Sequence, residues 1–196
     1  LIDAIRDFLE PADEVYDTAS LAGLGPYVAQ ADHLIGDGPH DEIEADVASY
    51  MSRFELAQGA YRAALAHAQR VADALTGLVG IDHPRTIIAR NTVGSCLLAA
   101  GRQTEALDIF EELAQTIGDS TDDDDTLKIR ANLASTLLEM GRSERASSLV
   151  EGLRRDLEAG RIADEGAMFV ESILALWHGV RDELPQAMLL RERAVE

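Results

Sequence analysis

Gly101-Arg102-Gln103-Thr104-Glu105-Ala106-Leu107 recurs along this chain as Gly141-Arg142-Ser143-Glu144-Arg145-Ala146-Ser147, and Gly59-Ala60-Tyr61-Arg62-Ala63-Ala64-Leu65 anticipates both. A Gly just past an apolar-periodic run is where a helix ends in a left-handed residue. The copies stand about forty residues apart, a spacing that in helical text marks stacked helix pairs. Before Gly101, residues 87–100 place apolar side chains at helical spacing. After it, Ala106, Leu107, Phe110 and Leu113 do the same, so a second helix begins near Thr104. Two helices joined by so few residues lie antiparallel and side by side.

The plan extends both ways. Upstream, Val47, Tyr50, Met51 and Phe54 mark a first helix, and Ala64, Leu65, Ala68, Val71, Ala72 and Leu75 a second, bounded by Gly38-Pro39 and residues 77–80. Downstream, residues 122–125 bring negative charge to a helix start, where it meets the positive end of the dipole. Leu127, Leu133, Leu137 and Leu138 then run to Gly141, and Ala146, Leu149, Val150 and Leu153 return. A fourth, more distorted unit puts Ala167, Val170, Ile173, Leu174 and Trp177 on one face and Leu184, Ala187, Met188 and Leu190 on another. At the other end Ile2, Ile5 and Leu9 predict a short helix stopped by Pro11. Leu21, Leu24, Tyr27, Val28, Ala31 and Leu34 predict a longer one with Pro26 in its first turn, where a missing amide hydrogen costs nothing. The expected organisation is a helical cap, or the end of a preceding helical region, over residues 1–44, followed by repeats at 45–82, 83–121, 122–160 and 161–196.

Composition narrows the function classes. Hydrophobic residues are 46%, against disorder, while aromatic residues are only 5%. The 36 acidic and 17 basic residues give a formal charge of −19, which repels phosphate backbones and argues against a nucleic-acid partner. Cys96 is the only cysteine, so neither an intrachain disulfide nor a cysteine metal cluster forms, and a reducing cytoplasm is the expected compartment. No apolar run is long enough to span a bilayer. The start at Leu1, with no basic leader, and the end at Glu196 in helical text suggest a piece of a larger protein.

His83-Pro84-Arg85-Thr86, Ala89-Arg90-Asn91, Leu97-Leu98-Ala99-Ala100-Gly101-Arg102 and Glu105-Ala106-Leu107 resemble tetratricopeptide repeats, in the variety of about forty residues found in kinesin light chains and in actinobacterial multidomain proteins. A second copy has Asp125-Thr126, Arg130-Ala131-Asn132-Leu133-Ala134 and Leu137-Leu138-Glu139-Met140-Gly141-Arg142. The resemblance implies an all-α, right-handed superhelical solenoid of antiparallel helix pairs. Its small residue in the first helix falls on Ser52, Gly94 and Ala134, and that opening the second helix on Ala64, Ala106 and Ala146. The larger residue four further on falls on Ala68, Phe110 and Val150. Glu55 departs from the pattern, occupying the slot of Leu97 and Leu137, and predicts a weakened or shifted register in the first repeat. Residues 17–36 also loosely resemble the helical stretch that precedes such repeats in signalling ATPases of the STAND type.

Sites of chemistry are scarce. The glycines at 36–38 and 77–80 lack the Lys-Ser/Thr that grips a nucleotide, so no cofactor is expected. His33, His40, His67, His83 and His178 are scattered, and His83 before Pro84 reads as a helix cap. The acidic run 119–125 lacks the central Gly and the terminal Glu of a calcium loop and reads as a solvated connection. Trp177 reads as core and Cys96 as buried and unreactive. By the resemblance, the first helix of each pair lines a concave groove through Ser49, Arg53 and Leu56, then Asn91, Ser95 and Leu98, then Ala131, Ser135 and Leu138. Such a groove implies a protein-binding module for another polypeptide or a segment of the parent protein. The alternative is a sensor module, binding a small ligand or effector, in a STAND-type ATPase or transcriptional regulator; an enzyme is the most distant reading.

Overall fold

At Gly59, Gly101 and Gly141 the backbone takes φ of 74°, 75° and 71°, the left-handed region that side chains with a Cβ avoid. Each glycine N–H reaches back to a carbonyl of the helix it ends: Gly59 to Leu56 at 3.1 Å, Gly101 to Leu98 and Gly141 to Leu138 at 2.9 Å. The next N–H reaches further, to Glu55, Leu97 and Leu137, at 2.8, 2.8 and 2.7 Å. This paired closure satisfies carbonyls that the helix leaves open. A fourth turn of the same kind, not foreseen from the sequence, lies at Gly160, with Gly160 N–H on Leu157 and Arg161 N–H on Asp156, both at 3.0 Å.

The structure, a computed structural model, describes residues 25–118, 124–162 and 164–181. Among these there are no strands, and the helices are α1 Gly25–Ile35, α2 Glu42–Ala57, α3 Tyr61–Val79, α4 Pro84–Ala99, α5 Gln103–Ile117, α6 Asp124–Glu139, α7 Ser143–Glu158 and α8 Asp164–Val180. Together they make up more than half of the 196 residues. Pro26 stands in the first turn of α1, and the second helix expected near Thr104 begins at Gln103. The expectations for Ile2, Ile5, Leu9, Pro11, Leu21 and Leu24, for residues 119–123, and for Leu184, Ala187, Met188 and Leu190 lie outside the described residues.

Two compact units divide the chain, Leu1–Arg102 and Gln103–Glu196. In the first, α2 and α3 form an antiparallel hairpin about Gly59, with α1 against α2 and α4 against α3. Helix starts are capped locally: Asp41 Oδ1 accepts from Glu44 N–H at 2.9 Å, and His83 Nδ1 accepts from Arg85 N–H at 3.3 Å ahead of Pro84. In the second unit, α6 and α7 pair about Gly141, α5 packs on α6, and α8 packs on both α6 and α7.

Small residues sit where the helices approach closely. Ala64, Ala106, Ala134 and Ala146 are fully buried, as is Ser52, whose hydroxyl donates to Ala64 O across the first hairpin at 2.8 Å. A bulky side chain there would push the backbones apart. Phe110 and Val150 are fully buried one turn further on, and Ala68 nearly so.

The expected loss of register at Glu55 does not occur. Its carbonyl closes the Gly59 turn as those of Leu97 and Leu137 close theirs. Its carboxylate meets the buried His67 of α3, with Oε2 2.6 Å from Nδ1. A charge is tolerated in an apolar slot because a partner of opposite character faces it.

Candidate interaction cleft

Helix α2 turns Asp46, Ser49, Tyr50 and Arg53 to one side, at the three-and-four spacing of a single face. Arg85, Ile88, Ala89 and Thr92 do the same on α4, and Leu75 comes from α3. Between them is a cleft of about 200 Å³. One end is tied by Arg85, which forms ion pairs with the carboxylates of Glu42 and Asp46 and also donates to Glu42 O at 3.2 Å. The guanidinium of Arg53 lies 5.1 Å from the centre of the Tyr50 ring, a cation–π contact. Ser49 donates its hydroxyl hydrogen to Ala45 O at 2.8 Å and Thr92 to Ile88 O at 3.1 Å. Both hydroxyl oxygens therefore face an occupant as acceptors. The lining combines an exposed apolar side chain, Ile88 at 39%, with the cations Arg53 and Arg85, the carboxylate of Asp46 and the hydroxyls of Ser49, Tyr50 and Thr92.

Of the residues expected in a groove, Ser49 and Arg53 line this cleft. Leu56, Asn91, Ser95 and Leu98 are half-buried outside its lining, and Ser95 donates to Asn91 O at 3.1 Å. On α4 the wall is made instead by Ile88 and Thr92, adjacent in angle to Asn91 around the helix. In the second unit Ser135 is half-buried and donates to Glu139 Oε1 at 3.3 Å. Ala131 and Leu138 correct the expectation: they are 0% and 2% exposed and present no surface to a ligand. The cause is that α6 has α5, α7 and α8 packed around it, leaving little of its circumference open. Tyr50, Asp46 and Arg85 were not anticipated in the lining; the signal available was the Asp46–Ser49–Tyr50–Arg53 spacing along α2.

Other candidate groups resolve into packing. Cys96 is fully buried with Sγ 3.8 Å from Ser52 Oγ, and burial pushes its thiol up from the ordinary value, away from the reactive thiolate. Trp177 is 7% exposed. Among the described residues no group of three His, Cys, Asp or Glu side chains is placed to hold a metal ion.

Residues 43–116, which include both walls of the cleft, match the tetratricopeptide repeat family. The fold resembles two crystal structures of Podosopora anserina kinesin light chain nearly identical TPR-like repeats, with TM-scores of 0.67 and 0.65. Each is 15% identical to this chain, over 98% of this chain and 90% of the other. No curated protein matches the sequence. The family match covers the two helix pairs of residues 43–116, and the structural likeness extends the all-α helical-repeat architecture over the chain.

Proposed function

We propose that this chain is a protein-binding module of a larger cytoplasmic protein, taking an extended or helical segment of another polypeptide, or of its parent, in the α2–α4 cleft. Tetratricopeptide repeats as a class mediate protein–protein contact, and the fold is typically non-catalytic. The observation that carries the reading here is size. A cleft of about 200 Å³ falls below the range of roughly 300–1,000 Å³ that encloses small organic ligands. It suits one or two anchoring side chains of a longer segment whose backbone runs outside. Leu56, Asn91, Ser95 and Leu98 are proposed to extend the contact along the first unit. A groove this short holds an isolated segment weakly, in the micromolar range of roughly −8 kcal/mol.

Neither nucleic acid nor membrane is proposed as a partner. The formal charge of −19 opposes every approach to a phosphate backbone. Among the described residues, no helix is long and apolar enough to cross a membrane.

The test places a photo-crosslinking residue at Ser49, at Thr92 or, as a control, at the exposed Asp73 of α3, in the source cells. Crosslinks to one shared polypeptide from Ser49 and Thr92, lost on adding Ile88→Glu, support the cleft. Crosslinks from Asp73 alone overturn it. A small molecule retained by the purified chain and lost with Ile88→Glu would favour the sensor reading instead.

A further inference from the structure

His67 joins three helices of the first unit. On α3 and only 6% exposed, it has Nδ1 2.6 Å from Glu55 Oε2 of α2 and Nε2 2.9 Å from Asp32 Oδ1 of α1. A carboxylate can only accept, so each ring nitrogen must donate for both bonds to exist together. A neutral imidazole has hydrogen on one nitrogen, and the other would aim a lone pair at a carboxylate oxygen.

The geometry points to a proton-dependent latch: α1 is held against the first hairpin through Asp32 while both ring nitrogens of His67 carry hydrogen, and is loosened when one gives it up. The two carboxylates are unequal. Glu55 is 14% exposed and set within the hairpin, whereas Asp32 is 51% exposed and able to turn into water. Loss of the proton therefore breaks the Asp32 side. Arg70 of α3, which lies 3.4 Å from Asp32 Oδ1 and donates to Gly36 O at 3.0 Å, and the buried Val28, Ala31 and Ile35 also hold α1. A helix of 11 residues is marginal without tertiary support, so losing the Asp32 bond loosens it.

The other charged and titratable groups are consistent with this direction. Burial draws His67 toward its neutral form, but the hydrogen bonds to Glu55 and Asp32 outweigh it, and Arg70 opposes only weakly, so the imidazole holds its proton above the usual value. The His67 hydrogen bond, aided by the charges of His67 and Arg70, keeps Asp32 below the usual carboxylate range although burial works against it. On α4, burial raises the Cys96 thiol and keeps it neutral. The latch acts on α1, so it makes the packing of that helix against the first hairpin respond to alkalinity.

Hydrogen exchange on the full chain tests this, read as protection factors so that the intrinsic pH effect is removed. Between about pH 6 and about pH 9, protection across α1 should fall severalfold while that of α3 and α4 holds. Asp32→Asn, an exposed change that leaves the hairpin core alone, should give low α1 protection at every pH. Nitrogen chemical shifts of His67 should show both ring nitrogens protonated at the lower pH. Constant α1 protection in the wild type, an undiminished pH response in Asp32→Asn, or a single ring hydrogen on His67 at the lower pH would each overturn the proposal.

Discussion

Arg130 Nη1 of α6 lies 3.0 Å from Asp156 Oδ2 of α7, and its guanidinium crosses Gly152 so closely that a Cβ there would stand 2.6 Å from Nη2. Gly152 is a buried residue inside a helix, where glycine ordinarily costs about 1 kcal/mol relative to alanine. Its value is the space it leaves for the arginine. Gly152→Ala should therefore destabilise despite the better helix propensity, by a net ~1–2 kcal/mol, because the displaced guanidinium loses a partly buried ion pair. Urea unfolding gives the sign directly; a stabilised variant would mean that Arg130 repacks freely.

Asp156 also receives Arg161, with Nη2 at 2.6 Å and Nε at 3.2 Å from Oδ1. Burial tends to raise its carboxyl, yet the hydrogen bonds from Arg161 and Arg130 prevail and hold it below the usual range. The stability this contributes is present above the unfolded value near pH 3.9 and is lost as pH falls through the folded one. Asp156→Asn should thus cost ~1–3 kcal/mol at neutral pH, while the gap between variant and wild type narrows in acid. Denaturant midpoints measured from neutral pH downward follow it, and a gap that stays constant would remove the ionic explanation.

For His67 the dependence runs the other way. A folded value raised above the ordinary one near 6.5 means that the contribution is complete below about pH 6.5 and disappears as pH rises through the folded value. Glu55→Leu restores the side chain found at Leu97 and Leu137 and removes one acceptor. The wild-type midpoint for unfolding should decline toward alkaline pH, and that of Glu55→Leu should be nearly flat over the same interval.

Ala146 is fully buried where α7 begins its return, so Ala146→Leu should cost ~1–3 kcal/mol by overpacking. Leu133, 6% exposed, should cost ~2–5 kcal/mol when cut to Ala, since a cavity adds to the lost transfer energy. Changes below about half a kcal/mol for both would place the inward faces elsewhere.

What could be read in the sequence was the part governed by local rules. A left-handed residue after a periodic run has to be near a helix end, so Gly59, Gly101 and Gly141 announced their turns; the turn at Gly160 follows the same rule and went unnoticed, because the leucines before it are interleaved with Arg154, Arg155 and Asp156. Contacts between distant positions were not legible. His67 looked like one of five scattered histidines, because its partners are residues 32 and 55, on two other helices. The burial of Ala131 and Leu138 depends on how many helices surround α6, which a repeat pattern taken one unit at a time does not specify. The α2–α4 cleft is lined on α2 by Ser49 and Arg53 of the expected groove and on α4 by Thr92, the neighbour of Asn91.

Arrays of similar segments lengthen and shorten by unequal recombination between copies, which tolerates any breakpoint that leaves each hybrid internally compatible. The Glu55–His67 contact forbids one interval. A crossover between those two positions would deliver a hairpin carrying the carboxylate without the imidazole, or the reverse, and an unmatched group at that depth costs several kcal/mol. Exchange outside residues 55–67 keeps this pair together, although a breakpoint between 32 and 55 parts His67 from Asp32. The repeats with Leu97 and Leu137 in the corresponding slot do not carry this particular constraint.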